Sequence, residues 1–147
     1  MKKKAVEYSL TCEKKDFPII KVRNSLDAIE FARKFYHEDI NIYESTFIML
    51  LNHANNVIGY AKISQGGISN ALVDIRIVCK YAIESLAAGV IFVHNHPTGI
   101  MQPSSHDIKL SERLRDALKI LDIKFLDSII LSDSDSFSMR DEDSLRF

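Results

Sequence analysis

Residues 90–93, Val-Ile-Phe-Val, form an unbroken apolar run that leads straight into His94-Asn95-His96-Pro97. A short run with no polar alternation reads as a strand buried on both faces, the kind found at the centre of a sheet covered by helices. Pro97 has no amide hydrogen to give a ladder, so the strand stops there. Residues two apart on a strand project to one face. His94 and His96 therefore stand side by side at the carboxyl end, where α/β sheets hold their ligands.

The rest of the chain divides by period around this strand. Asn24 offers an N-cap with Asp27 at the third helical position, and apolar Leu26, Ile29, Phe31, Ala32, Phe35 and Tyr36 predict a first helix ending near His37. Residues 47–51 and 57–63 are short β-forming runs separated by His53, Ala54, Asn55 and Asn56, which suits an antiparallel hairpin. Gly66 and Gly67 break that pattern. Ile75, Val78, Cys79, Ala82, Ile83 and Leu86 then recur at the spacing of one helix face, with Gly89 expected to close the helix as a left-handed cap. Ser104 or Ser105 starts a third helix with apolar positions Ile108, Leu114, Leu118 and Leu121, and a last strand runs from about residue 124 to 131. Helix, hairpin, helix, strand, helix, strand is the order of an α/β sandwich on one mixed sheet. Residues 1–22 lack a helical period and read as an N-terminal arm, or an added strand, with Pro18 marking a turn or edge before Ile19, Ile20 and Val22. The domain proper is residues 23–147.

A chain of 147 residues suits one domain that buries roughly two-thirds of its unfolded surface. A content of 46% hydrophobic and 27% charged residues excludes a disordered or fibrous chain. The formal charge of -1 removes the main electrostatic reason to expect nucleic-acid binding. The charge is uneven, with Lys2, Lys3 and Lys4 opening the chain and Asp133, Asp135, Asp141, Glu142 and Asp143 crowding its end. Only Cys12 and Cys79 are present, too few for a disulfide framework, so a reducing cytoplasm is expected. The basic start is followed by a stretch broken by Glu7, Glu13, Lys14 and Lys15, which leaves no signal-peptide core, and residues 90–93 fall far short of the ~20 that span a membrane.

Thr98, Gly99 and Pro103 allow the chain to turn back after the histidines, so Asp107, in the first turn of the next helix, can return a carboxylate to them. Two imidazoles and a carboxylate leave one tetrahedral position of Zn²⁺ open to water, the mark of a catalytic site, where the water's pKa falls to about 7. There are plainer explanations. An isolated His-x-His pair is more often structural than ligating, and Ser104 with Asp107 resembles a capping box. His106, beside Asp107, is a competing ligand that would make a three-histidine site. The conjunction of apolar strand, terminal His-x-His, proline stop and returning Ser-x-x-Asp favours metal.

The segment from His94 to Asp107 resembles the JAMM signature H-x-H-x7-S-x2-D without a spacing error, and within that family the RadC-like branch, which reads HNHPSG, a short loop, then PS-x-x-D. The likeness extends over roughly residues 40–140, through Glu44 ahead of a hydrophobic strand, a glycine at Gly66 or Gly67, and Arg76 early in the second helix. The resemblance implies a JAMM/MPN fold, a three-layer α/β sandwich with a mixed central sheet related to cytidine deaminases. It implies Zn²⁺ on His94, His96 and Asp107, with Asp107 preferred to His106, and hydrolysis of peptide or isopeptide bonds in a peptide or protein substrate. Ser104 would stabilise the oxyanion, and Glu44 would carry the proton of the attacking water to the leaving amine. A role in DNA repair and a non-catalytic scaffold are the alternatives that such families bring. Two departures stand out: Thr98 replaces the usual Ser, and Asp127-Ser128 replaces a frequent Asp-His pair, which leaves Asp127 either to orient a ligand or, the reading preferred, as an exposed strand-end charge. Zinc deaminases need His-x-Glu with Pro-Cys-x-x-Cys, neither of which occurs, and HNH nucleases spread their residues over a longer motif. The loops at residues 52–56, 64–70 and 97–103, where a substrate would be recognised, carry no decisive chemistry.

Overall fold

The computed structural model describes residues 4–9, 11–15, 17–67 and 71–147. Lys2 and Lys3 of the basic opening, and residues 68–70 of an expected recognition loop, lie outside the described residues. Helix α1 covers Ser25–Arg33, and the Asn24 side chain accepts the Asp27 amide at 3.0 Å. It ends four residues before His37. Phe35 and Tyr36 continue it only as turns, bonding to the carbonyls of Ala32 and Arg33. These turns bring Phe35 flat against Phe47 and Tyr60, with ring centroids 4.9 and 4.8 Å apart. A 3-10 turn at Glu38–Asn41 then leads to the sheet.

Strands β1, Ser45–Leu51, and β2, Val57–Gln65, form the expected antiparallel hairpin. The Asn52 side chain accepts the amides of Ala54 and Asn56, both at 3.0 Å, and Asn55 takes the left-handed conformation that asparagine tolerates. Helix α2 covers Ile75–Glu84, capped by Asp74. Strand β3 is Gly89–Asn95, helix α3 Ser105–Ile120, and strand β4 Lys124–Leu131. A three-residue strand β5, Ser136–Ser138, was not foreseen, because so short a segment shows no period.

Gly89 is not the cap of α2. The left-handed residue there is Leu86, and the Ala87 amide reaches back to the Ala82 carbonyl at 3.0 Å, which closes the helix. Gly89 is instead the first residue of β3, where a Cβ would lie 2.7 Å from Leu126 Cδ1. The glycine serves a close approach of β3 to β4. In α3, Leu121 is an exposed C-cap, whereas Leu110, Leu114 and Leu118, spaced by four, form the buried ridge.

The sheet order is β2-β1-β3-β4-β5, with β3 and β4 parallel and the other neighbours antiparallel. Alternation along the central strands sorts side chains to opposite faces. Phe47, Met49, Leu51, Ile91 and Val93 join Ala28, Phe31 and Ala32 of α1 on one side. Ile48, Leu50, Val90 and Phe92 join Val78, Ala82, Leu114 and Leu118 of α2 and α3 on the other. The result is an α/β sandwich of helix, mixed sheet and helix pair. The arm meets the sheet at the Lys21–Asn56 bridge, where Val22 donates to the Asn55 carbonyl at 2.8 Å and Val57 to the Ile20 carbonyl at 2.9 Å, and Phe17 stacks on Tyr60 with ring centroids 4.9 Å apart. No helix among the described residues is long and apolar enough to cross a membrane.

Candidate metal centre

The β3 ladder ends where Pro97 requires. The His96 amide still donates to the Leu131 carbonyl of β4 at 2.9 Å, and Gly99, with a φ of 80°, turns the chain away. The following loop delivers α3 amino end first to the histidines. Asp107 is the third residue of that helix and completes a capping box: its amide donates to Ser104 Oγ at 3.1 Å, and its Oδ2 accepts the Ser104 amide at 2.8 Å. That carboxylate also faces both imidazoles. His94 Nε2 lies 3.3 Å from Asp107 Oδ1, His96 Nε2 lies 3.2 Å from Oδ2, and the two Nε2 atoms are 3.1 Å apart. Capping and clustering are thus properties of one side chain rather than rival accounts of it.

The two imidazole nitrogens and one carboxylate oxygen lie within 4.8 Å of one another, a spacing that a small metal ion can draw together. Tetrahedral zinc with bonds of ~2.0–2.1 Å to its ligands sets neighbouring donors ~3.3–3.4 Å apart. His94, His96 and Asp107 form the one candidate metal-holding group among the described residues. His106 is exposed and stands outside it. The ring protons also suit ligation. His96 Nδ1 lies 2.5 Å from the Ile100 carbonyl, which can only accept, so Nδ1 carries the hydrogen and the neutral ring keeps its Nε2 lone pair for the cluster. That carbonyl is a main-chain group with no sequence signal. His94 is 2% exposed, and its Nδ1, like Ser128 Oγ, is buried without a hydrogen-bond partner among the described residues.

Electrostatics divide the cluster. Burial lowers the pKa of His94 and outweighs its hydrogen bond to Asp107. Burial lowers His96 too, but hydrogen bonds to Asp107 and Ile100 and the charges of Asp107 and Glu44 carry it above its ordinary value. Burial alone would raise Asp107; the bonds from His94 and His96 hold it well below the usual carboxylate range.

Glu44 is buried at 7% exposure, so it is no solvated edge charge. Thr46 pairs with His94 across β1 and β3, and continuing that register two residues sets Glu44 opposite His96 on the same face. Its amide donates to the Gly67 carbonyl at 3.1 Å and its carbonyl accepts the Gly66 amide at 2.8 Å, which fixes its backbone to the far end of the hairpin. Burial raises its pKa to about 7, with His96 opposing and Asp107 assisting. Ser104 is exposed at the mouth of the cluster, its hydroxyl hydrogen free of the capping bond.

Two other residues lie elsewhere. Arg76 is solvent-exposed and paired with Asp74 at 2.8 Å. Asp127 is not an exposed strand-end charge: it is 4% exposed, registers with Ile91 on the α1 face, and accepts from Ser138 Oγ at 2.6 Å and from the amides of Ser128 and Arg140. It ties β4 to the C-terminal segment. A cleft of about 420 Å³ opens beside it, lined among others by Arg23, Asn24, Arg140 and Asp141, and includes no residue of the histidine cluster.

Comparison with known proteins agrees with this geometry. Residues 22–144 match the model of the RadC-like JAB domain family. A UPF0758 protein of Flavobacterium johnsoniae is 36% identical over 122 residues, which cover 83% of this chain and 52% of the relative. UPF0758 proteins of Cellvibrio japonicus, 34% identical over 122 residues (82% and 54%), and of Pseudomonas fluorescens, 41% identical over 103 residues (70% and 45%), are similar in the same way. The chain spans about half the length of the curated relatives it matches. With the family model covering most of its length, the chain belongs to the RadC-like JAB domain family.

Proposed function

We propose that this domain is a zinc-dependent hydrolase acting on peptide or isopeptide bonds of a protein substrate. The observation that carries the proposal is the cluster at the end of β3, where the His94 and His96 Nε2 atoms lie 3.1 Å apart and each faces one oxygen of the Asp107 carboxylate, Oδ1 at 3.3 Å and Oδ2 at 3.2 Å, so that all three side chains offer a donor atom to one point. A zinc ion on these three ligands would supply an acidified water and polarise the bond under attack. Glu44, opposite His96, takes the proton of the attacking water and returns it to the leaving amine. Burial lifts this carboxyl to about 7 in the metal-free protein, an environment that favours both uptake and return of a proton near neutral pH. The Ser104 hydroxyl, at the rim, donates to the oxygen on which negative charge develops. Both cysteines are free, in keeping with work in a reducing cytoplasm. A role in DNA transactions remains the alternative reading of the family, and the formal charge of -1 gives it no electrostatic support.

The test is metal analysis of the purified chain, followed by assay on quenched-fluorescent peptides and lysine isopeptides. Glu44→Ala is expected to lower turnover about 10²–10⁴-fold while zinc stays bound. Full activity in that variant would remove Glu44 from the mechanism, and failure to take up zinc at His94, His96 and Asp107 would overturn the whole reading.

A further inference from the structure

His94 and His96 face the metal cluster, so Asn95 between them must face the other side of the sheet. It is fully buried, and each polar atom of its side chain is used. Oδ1 accepts the Ser45 amide at 2.7 Å, and Nδ2 donates to the Ile40 carbonyl at 2.7 Å and to the Tyr43 carbonyl at 2.8 Å. The partners force the orientation of the amide, since an N–H can only be met by the oxygen and two carbonyls only by the NH₂. All three partners belong to residues 40–45, the stretch that carries Glu44.

The Glu44 backbone is tied sideways to Gly66 and Gly67 of the hairpin, but little else places the stretch against β3. Its 3-10 turn closes on itself, with Ile42 and Tyr43 both donating to Asp39, and the β1–β3 ladder begins only at Thr46. Tyr36 adds one tie from the turn after α1, its hydroxyl donating to the Ser45 carbonyl at 2.7 Å. We infer that Asn95 is a positioning residue that clamps residues 40–45 to β3 and so sets Glu44 against the metal cluster. One tripeptide thus supplies two ligands on one face and, on the other, the hold on the proton carrier. The inference rests on the reading of Glu44 given above.

Asn95→Asp tests it. The carboxylate still accepts from Ser45 but cannot donate to Ile40 or Tyr43, and no metal ligand is altered. Zinc affinity, read by chelator competition, is expected to change less than ~10-fold. Hydrogen exchange of the Ser45 amide in the zinc-loaded protein is expected to accelerate. On the isopeptide probe, kcat is expected to fall about 10²-fold with KM little moved. In the Glu44→Gln background the same substitution is expected to cost no further turnover, because its effect passes through Glu44. Wild-type exchange at Ser45 together with wild-type kcat overturns the clamp, as does an equal loss of kcat in both backgrounds. An active Glu44→Gln single variant overturns the role of Glu44 instead, and Ser45 exchange then still reports on the clamp. If Asn95→Asp does not fold, the smaller, uncharged Asn95→Ser is judged by the same criteria.

Discussion

Replacing Asp107 by Asn removes one charge and keeps the shape of the side chain, which separates what Asp107 does for the helix from what it does for a metal. The cap depends on an oxygen accepting the Ser104 amide and on the Asp107 amide meeting Ser104 Oγ, and Asn can satisfy both. In metal-free protein the substitution therefore costs at most ~1 kcal/mol through the cap, and beyond that the contacts of the carboxylate with His94 and His96, a loss that the metal-free Tm of each protein sets as its baseline. Zinc changes the comparison. At a free concentration 100 times its Kd, zinc stabilises the wild type by ~2.7 kcal/mol. At ~2–4 °C per kcal/mol for a chain near this length, that raises Tm by ~5–11 °C. Changing a residue that merely supports a ligand weakens affinity by ~10–100-fold, so losing a direct ligand should weaken it by ~10²-fold or more. The same zinc concentration then lies near or below the variant's Kd, worth ~0.4 kcal/mol or less and a rise of ~1–2 °C at most. Differential scanning calorimetry of both proteins, stripped of metal and then reloaded, reads all four values. A zinc-dependent rise in Asp107→Asn as large as in the wild type would refute the reasoning and leave Asp107 a cap alone. His106→Ala completes the test. It should keep the full rise, and losing it would point to a three-histidine site.

Two more predictions concern stability. In metal-free protein the unfolded Glu44 carboxyl ionises through its ordinary pKa of 4.5, while the folded one holds its proton up to about 7. The folded state binds more protons over that window, so stability falls as pH rises from 4.5 to 7 and then stays level. Glu44→Gln should lack this component, and parallel urea titrations across that range check it: equal slopes in both proteins would contradict the burial argument. Gly89→Ala brings a Cβ to 2.7 Å from Leu126 Cδ1 and 3.2 Å from Leu126 Cγ, so β3 and β4 must part or Leu126 must turn. A loss of about 1–3 kcal/mol by chemical denaturation is expected, and an unchanged midpoint would show that Leu126 yields freely.

Much of this architecture is written in local signals. The apolar run before His94 is a central strand because four β-forming residues without a polar break suit a position buried on both faces. The proline stop sets its end, and β4 covers Lys124–Leu131 as its composition suggested. Ser104 caps α3 because serine with an acid three residues on satisfies two otherwise free amides. Propensity, period and capping act within a turn or a strand, and they settled the helices, the hairpin and the pairing of His94 with His96 on one face. They could not choose between Asp107 and His106, neighbours in one helical turn that project ~100° apart. The docking of α3 against the end of β3 sets Asp107 beside the histidines and leaves His106 in solvent. Nor could they show that Gly89 faces Leu126 rather than capping α2, that Asp127 is buried on the α1 face, or that Glu44 is shielded from water. Each depends on residues far apart in the chain. Asn95 meets the Ser45 amide across 50 positions, a contact that exists only once the hairpin, the central strand and α1 have packed together.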